Sequence, residues 1–550
     1  MVYEYGLVYK VIMFQLQPHQ ERVLTYHTRR ILLYHGLGSG KTCTSIALAV
    51  AKQQPHKQMI IITPASLVSN YHDELRGSCG THVGAEYNRF RIVSKDKLYH
   101  DYKDRTNVLC QELKNTVIVF DEVHRLLSYT NGKENQFFQH VLDCIGESSA
   151  CVFLSATPIT DPYKLVPLAR FLLTPKEFKR SPLAGIRTAK QFFDRYSFQN
   201  TIRREQELVD MLKNRVSYFD RSQGPRVTHK DILCYVEPNT VQYKRYQSAM
   251  GHSIHMNKTI TQEFLLSARQ ASNLVRGDRV CDRNQLKAHG IKFHTCLESI
   301  TKRKGPFFVY SNFVTESGVN AFAGYLEHLY HYSDVKRLII PYQSYAVLRN
   351  DEHRSDILER FNHVNNRDGR DINIIIGSPS SAEGLTLKKL REIHILDPHW
   401  MPTATDQIVA RGVRYGSHNQ VNYNEVRVFH YYAIPRDILS VDIHLKQLQV
   451  DKRKWLDKFN DVLKRAAIEN QPSTSRGPII VLHNSDSNHI NHNNHNHPQP
   501  LQTRTQTPKR IRRITQLHRF NPRLLNQYTR RPRKRTIINL TKNNHIVNLT

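Results

Sequence analysis

A short apolar run, Ile31-Leu32-Leu33-Tyr34, ends in the loop Gly36-Leu37-Gly38-Ser39-Gly40-Lys41-Thr42, which opens a stretch that reads as a helix to about Gln53. Strand, glycine loop and helix in that order form a phosphate-binding loop. No other feature of the chain limits the fold as much. Such a loop works at the carboxyl end of a buried parallel strand, with the helix N-terminus aimed at the anion. The glycines let backbone N–H groups turn toward phosphate. Lys41 supplies a point charge, and Thr42 a hydroxyl for Mg2+. Gly36, Gly38, Ser39, Gly40, Lys41 and Thr42 are therefore the expected nucleotide-binding residues. The strict pattern asks for glycine five positions before Gly40, and His35 stands there instead.

Further short apolar runs follow at 59–62, 117–120 and 151–154, separated by helical stretches. Continuous runs of this kind imply a parallel sheet covered on both faces. A second alternating block has its clearest strands at 307–310, 372–376, 393–396 and 426–429, followed by a helical segment at about 436–470. The expected architecture is α/β, with a first nucleotide-binding domain over 1–175, a linker or insertion over 176–227 and a second α/β domain over 228–470.

Chemistry-bearing residues follow the strand ends. Asp121-Glu122-Val123-His124 succeeds the run at 117–120. Asp121 fits a Mg2+ ligand and Glu122 a group that orients and polarises the attacking water. An isolated acid pair at a strand end is usually a solvated turn, but here a phosphate loop lies upstream. Ser155-Ala156-Thr157-Pro158 has hydroxyls able to bridge the nucleotide site and a facing domain. In Gln407-Ile408-Val409-Ala410-Arg411-Gly412-Val413-Arg414, the two arginines are three apart and share a helical face. Across a cleft they could reach a γ-phosphate and stabilise transition-state charge. The plainer reading is a basic helix face on nucleic-acid phosphate. Ala382-Glu383-Gly384-Leu385-Thr386 would line the same cleft.

Lys and Arg total 79 against 48 Asp and Glu, a formal charge of +31, which favours polyanionic partners. Residues 471–550 carry fourteen of those cations and one acid among Asn, His, Gln and Pro. Such a tail is too polar to bury a core and is expected to be disordered. Arg530-Arg531-Pro532-Arg533-Lys534-Arg535 within it suits a nuclear localisation signal or an electrostatic tether. The eight cysteines form no CxxC pair and are expected to be scattered reduced thiols. Neither a transmembrane run nor a signal-peptide pattern at the N-terminus is seen.

Taken in order, these motifs resemble those of the superfamily 2 helicases of the DExH type. Thr63-Pro64-Ala65-Ser66-Leu67 and Tyr310-Ser311-Asn312-Phe313 are similar to two further motifs of that family, and Leu16-Gln17-Pro18-His19-Gln20 to its glutamine motif. The wording around His35-Gly36 resembles most the helicases and ATPases of large nucleocytoplasmic DNA viruses. That group holds the small subunit of the poxvirus early transcription factor and nucleoside triphosphate phosphohydrolase I. The resemblance implies two RecA-like parallel-sheet domains followed by the disordered basic C-terminal tail. It implies ATP and Mg2+ in the cleft, with Lys41, Asp121, Glu122, Gln407, Arg411 and Arg414 catalytic and Thr42 and Asp121 on the metal. Gln20 would recognise adenine. Thr63, Pro64, Ser66, Ser311, Asn312 and Thr386 would touch nucleic acid. Ala410 departs from the family, which has glycine before its first arginine.

The implied function is a nucleic-acid-dependent ATPase that translocates on DNA, expected ahead of RNA, in viral transcription. Viral RNA polymerase or another transcription factor subunit would be its partner, with no membrane involved. Virion and host-cell cytoplasm are the expected locations, with the host nucleus as an alternative from the basic tail. Two rivals stand beside it: a duplex translocase that starts or ends transcription without unwinding, and a catalytically silent nucleic-acid-binding virion protein.

Overall fold

The six strands of the first sheet are β1 (Arg30–His35), β2 (Met59–Thr63), β3 (Phe90–Ser94), β4 (Val117–Phe120), β5 (Ala150–Leu154) and β6 (Val216–Phe219). They lie in the order β3-β2-β4-β5-β1-β6, and every pair is parallel. The computed structural model describes residues 15–470, apart from 27, 37, 54–57, 128–132, 200, 221–223, 256–261, 276–279, 350, 383–384 and 415. The tail expected from 471, with its Arg530–Arg535 cluster, lies outside the described residues, as do Leu37, Glu383 and Gly384 of the motifs.

The central strands of this sheet are apolar on both faces because helices cover both. Leu32, Ile118, Phe120 and Phe153 face one core and Ile31, Leu33, Val119 and Leu154 the other. This alternation is the period-2 geometry of a strand buried on two sides. Arg30 is a buried exception. Its guanidinium donates to the carbonyls of Leu142, Gly146, Phe171 and Leu173, which are the carbonyl ends of two covering helices. A cation is well placed where helix carbonyls are left without intrahelical partners.

The second sheet has seven strands: β7 (Arg226–Val236), β8 (Phe307–Tyr310), β9 (Ser333–Asp334), β10 (Ser344–Val347), β11 (Ile374–Gly377), β12 (Glu392–Ile395) and β13 (Glu425–Pro435). Their order is β9-β10-β11-β8-β12-β13-β7, again all parallel. β7 and β13 pair residue by residue along their whole length, from Arg226 opposite Glu425 to Val236 opposite Pro435. The chain is therefore α/β with two parallel sheets, as the apolar runs predict.

Three features differ from the sequence reading. The stretch read as a linker from 176 to 227 is largely part of the first domain. Phe178, Leu183, Phe192, Tyr196, Leu208 and Leu212 are buried in its core, and Val216 enters through the edge strand β6. Its apolar residues are spaced among charges along short helices, which hides them from a search for continuous runs. The C-terminal helix, Val441–Arg465, also belongs to both halves. Val441 and Leu445 pack with Tyr246 and Ala268 of the second half, whereas Leu456, Phe459, Val462 and Leu463 lie in the first-domain core.

The cysteines are the third correction. Cys43 is bonded to Cys79 and Cys110 to Cys144, while Cys151, Cys234, Cys281 and Cys296 are free. The partners are 36 and 34 residues apart and meet only through the fold, so no local spacing announces them. Each loop closure is expected to contribute about 2–4 kcal/mol to the folded state. Alkylation of the denatured, unreduced protein should therefore label four thiols, and reductant should lower the melting temperature. Eight labelled thiols without reductant would refute the pairing.

Candidate active site

Parallel strand order brings three loops together. β5 lies between β1 and β4, so the loops after β1, β4 and β5 leave the same edge of the sheet side by side. They carry Gly36–Thr42, Asp121–His124 and Ser155–Thr157. This is the carboxyl edge at which α/β sheets bind ligands.

Gly38 and Gly40 have φ of +74° and +77°, the left-handed backbone that glycine adopts without penalty. At Gly40 a side chain would also collide, since a Cβ would stand 2.7 Å from the Gln20 amide nitrogen. That amide comes from α1 (Pro18–Leu24). It donates to the Gly40 carbonyl and the Thr44 hydroxyl, both at 3.1 Å, and its oxygen accepts the Gln17 N–H at 2.8 Å. Every polar function of Gln20 is thus engaged by protein. These bonds support the phosphate loop from below. His19 adds a contact within hydrogen-bond distance, 3.0 Å, from its Nε2 to the Ser39 carbonyl.

α2 (Lys41–Lys52) starts directly from the loop. The Lys41 ammonium donates to the carbonyls of His35 at 3.1 Å and Gly36 at 2.9 Å. Burial pushes its pKa down, while Glu122 and Asp121 push it up. Thr42 follows in the first turn of α2.

Asp121 is fixed by three hydrogen bonds. Its N–H donates to the Ile62 carbonyl, and its carboxylate accepts from the Thr63 hydroxyl at 3.1 Å and the Glu122 N–H at 2.9 Å. Burial, then the neighbouring Glu122 charge, push its pKa up to about 7, against the opposing pull of Lys41. Glu122 is in the left-handed region, φ +49° and ψ +48°, a strained conformation for a residue with a side chain. Burial raises its pKa, but the hydrogen bond and charge of His124, then Lys41 and Arg411, outweigh it and bring it to about 2.

A metal here would be bound by hard oxygen donors. The Thr42 hydroxyl and the Asp121 carboxylate are of that type and suit Mg2+, which keeps waters and phosphate oxygens for its remaining positions. Among the described residues, no group of three or more His, Cys, Asp or Glu could hold a metal with protein ligands alone.

His124 connects the acids to everything else. Its Nδ1 is 3.3 Å from a Glu122 oxygen and 2.9 Å from the Ser155 hydroxyl. Its Nε2 is 3.5 Å from the Gln407 amide nitrogen, which also donates to the Thr157 hydroxyl at 3.4 Å. Gln407 lies on α3 (Pro402–Val409), which follows β12 of the second sheet. The path from Glu122 through His124 to Gln407 therefore crosses from one domain to the other. The sequence allows two readings of His124, a coupling of the acids to the next motif or a plain surface histidine, and its contact with Ser155 is of the first kind.

Arg411 and Arg414 follow α3. The Arg414 guanidinium donates to the Thr386 hydroxyl at 2.5 Å and, less closely, to the Ala410 carbonyl at 3.4 Å. Burial, then the charge of Arg411, push its pKa down to about 10. Both arginines act electrostatically on Lys41, and Arg411 on Glu122. The site thus gathers three cations and two carboxylates from two domains around one cleft.

The residues expected on nucleic acid fare differently. Thr63 is buried on Asp121, Pro64 is buried, and Ser311 is buried with its hydroxyl accepting the Phe313 N–H at 3.1 Å. Asn312 is half-buried, its N–H donating to Asp397 and its side-chain oxygen accepting from Tyr310. Thr386 is committed to Arg414, and Ser66 alone of the six is exposed. The Thr63, Ser311 and Thr386 hydroxyls are thus engaged by local groups in this structure.

Comparison with known proteins agrees with this arrangement. Residues 17–165 match the DEAD/DEAH box helicase family and residues 291–416 the helicase conserved C-terminal domain. A putative ATP-dependent RNA helicase, R563, of Acanthamoeba polyphaga mimivirus is 28% identical over 80% of this chain and 85% of its own length. Putative helicase 087L of Invertebrate iridescent virus 3 is 24% identical over 82% of this chain, which spans only 52% of that protein. A termination factor NPH-I homolog of African swine fever virus is 23% identical over 80% of this chain and 76% of its own.

Proposed function

The chain belongs to the superfamily 2 helicases of the large nucleocytoplasmic DNA viruses and hydrolyses ATP, and we propose that it couples that hydrolysis to translocation on DNA during viral transcription. The observation that carries the coupling is the polar bridge from Glu122 through His124 to Gln407. Hydrolytic groups on one domain are hydrogen-bonded to a helix of the other, so a change in the nucleotide changes the fit of the two sheets. In this reading the triphosphate replaces the His35 and Gly36 carbonyls as the acceptor for Lys41. Glu122 orients the attacking water. Arg411 and Arg414 reach the γ-phosphate from the second domain. Thr42 and Asp121 would hold Mg2+, which when bound would neutralise developing charge on the phosphate oxygens.

Support for DNA and transcription comes from the +31 charge and from the termination-factor name carried by one relative. The second reading is a duplex translocase that starts or ends transcription without unwinding, and the termination-factor name fits the ending of transcription. Virion and host-cell cytoplasm would be the places of action, and viral RNA polymerase or another transcription factor subunit the partner. ATP hydrolysis should rise several-fold or more with duplex DNA, and the DNA affinity should fall steeply with salt, as expected for phosphate contacts. Turnover that ignores DNA and RNA alike would sink the proposal. Triplex displacement without strand displacement would identify the duplex translocase.

A further inference from the structure

The C-terminal helix α4 (Val441–Arg465) and the turn after it touch both moving parts of the site. At 25 residues it is long enough to span the two halves, about 37 Å. In its middle, Arg453 grips Asp406 of α3 with two parallel hydrogen bonds of 2.7 and 2.8 Å. Gln449 donates to Thr405, one residue earlier, at 2.8 Å. Asp406 is the immediate neighbour of Gln407. Arg453 also donates to the Pro402 carbonyl at 3.4 Å. A cavity of about 220 Å3 lies between Tyr34, Thr157, Gln407, Arg453 and Asn460. So α3 is held here by charge and hydrogen bonds, beside space into which it can move.

Beyond the helix, Glu469 reaches the root of the phosphate loop. Its carboxylate accepts the Ser217 hydroxyl at 2.7 Å and the Tyr218 N–H at 2.8 Å. The Ser217 oxygen is in turn 2.7 Å from the His35 Nε2. Since Ser217 gives its proton to Glu469, its lone pair is left for the Nε2–H of a neutral His35, a tautomer inferred from the network. Burial, then His19 and Lys41, lower the His35 pKa to about 3, in keeping with a neutral ring. The His35 carbonyl accepts from Lys41. Glu469 thus acts on the phosphate loop through Ser217 and His35, although 434 positions separate Glu469 from His35.

We propose that α4 and Glu469 form a strut that sets the spacing of the two half-sites, with Arg453 and Glu469 as positioning residues for ATP hydrolysis. Arg453 places α3, and with it Gln407 and the arginines. Glu469 places the phosphate loop. Neither touches nucleotide. The inference rests on the reading of this cleft as the ATP site. It also gives His35 a purpose: a histidine can make the Ser217 link that a glycine cannot.

The two ends should separate kinetically. In the full chain with saturating duplex DNA, Arg453→Ala is expected to lower kcat about 10- to 100-fold with KM for ATP nearly unchanged. Asp406→Asn should match it, and the double variant should be no worse than either. The Arg453–Asp406 pair is about 40% exposed, so its loss should leave the melting temperature near wild type. Glu469→Ala should instead weaken binding of a fluorescent ATP analogue about tenfold or more. Glu469→Gln can accept the Tyr218 N–H and donate to the Ser217 oxygen, whose hydroxyl then donates to the other tautomer of His35, so it should restore most of that binding. If wild type binds the analogue and these variants match it in kcat and affinity, the strut is wrong while the ATP site stands. Loss of kcat, affinity and melting temperature together would reduce the strut to ordinary packing and overturn it. Wild type that binds no analogue would overturn the cleft reading and the strut with it.

Discussion

Glu122→Gln is expected to lower ATP turnover by about 10²–10⁴-fold while ATP affinity stays within a few-fold. The substitution keeps shape and removes charge. The backbone at Glu122 is held left-handed by the Asp121 carboxylate, which accepts its N–H at 2.9 Å, and glutamine can adopt the same strained geometry. What is lost is the carboxylate that His124 orients from 3.3 Å. Against burial, His124, Lys41 and Arg411 hold its pKa below the usual carboxylate range, so it is ionised at neutral pH. Its role is therefore to orient water first. In the proposed mechanism it would gain basicity as Lys41 and Arg411 turn toward the triphosphate and leave it less compensated. Steady-state hydrolysis with titration of a fluorescent ATP analogue tests this. Turnover within tenfold of wild type would remove Glu122 from the mechanism.

Much of this site is legible in the sequence because its position is a matter of topology. A loop that follows a continuous apolar run must lie at a strand's carboxyl end, so Lys41, Asp121, Ser155 and Thr157 can be placed together before any contact is known. Strands such as β4 and β8 coincide with the runs at 117–120 and 307–310. β3, Phe90-Arg91-Ile92-Val93-Ser94, and β6, Val216-Ser217-Tyr218-Phe219, escape notice because a polar residue interrupts each apolar run, Arg91 in one and Ser217 in the other.

Side-chain partners are a different matter. Thr63 and Thr386 resemble nucleic-acid contacts by motif, yet their hydroxyls are bonded to Asp121 and Arg414. Gln20 resembles an adenine reader, yet its amide is spent on Gly40 and Thr44. A motif records residue types at a spacing. It does not record which of several reachable groups satisfies a buried donor, and burial makes that choice obligatory. The link from Glu469 to His35 has no sequence signature, because it depends on where a helix beginning in the second domain ends in the first.

Arg411→Ala and Arg414→Ala are each expected to lower turnover by about 10³–10⁵-fold, the effect of removing an arginine that stabilises charge on a transferring phosphoryl group. At about 1.4 kcal/mol per tenfold this is roughly 4–7 kcal/mol of transition-state stabilisation. The local electrostatics supply the reason. Burial lowers the pKa of Lys41, and the charges of Arg414 and Arg411 lower it further. Arg414 is itself depressed by burial and by Arg411. Three cations share a cleft in which the facing acids are Asp121 and Glu122, and a triphosphate would supply the missing negative charge. Lysine at either position keeps the charge but loses the planar fork, so it should restore little. Because both arginines follow α3 of the second domain, hydrolysis without them should also lose its response to DNA: any residual turnover should be the same with and without the polymer. Arg414 has to leave the Thr386 hydroxyl to reach phosphate, so Thr386→Ala should spare turnover where Arg414→Ala abolishes it. An Arg411→Ala protein still stimulated by DNA to within tenfold of wild type would mean that the charge is stabilised from within the first domain alone.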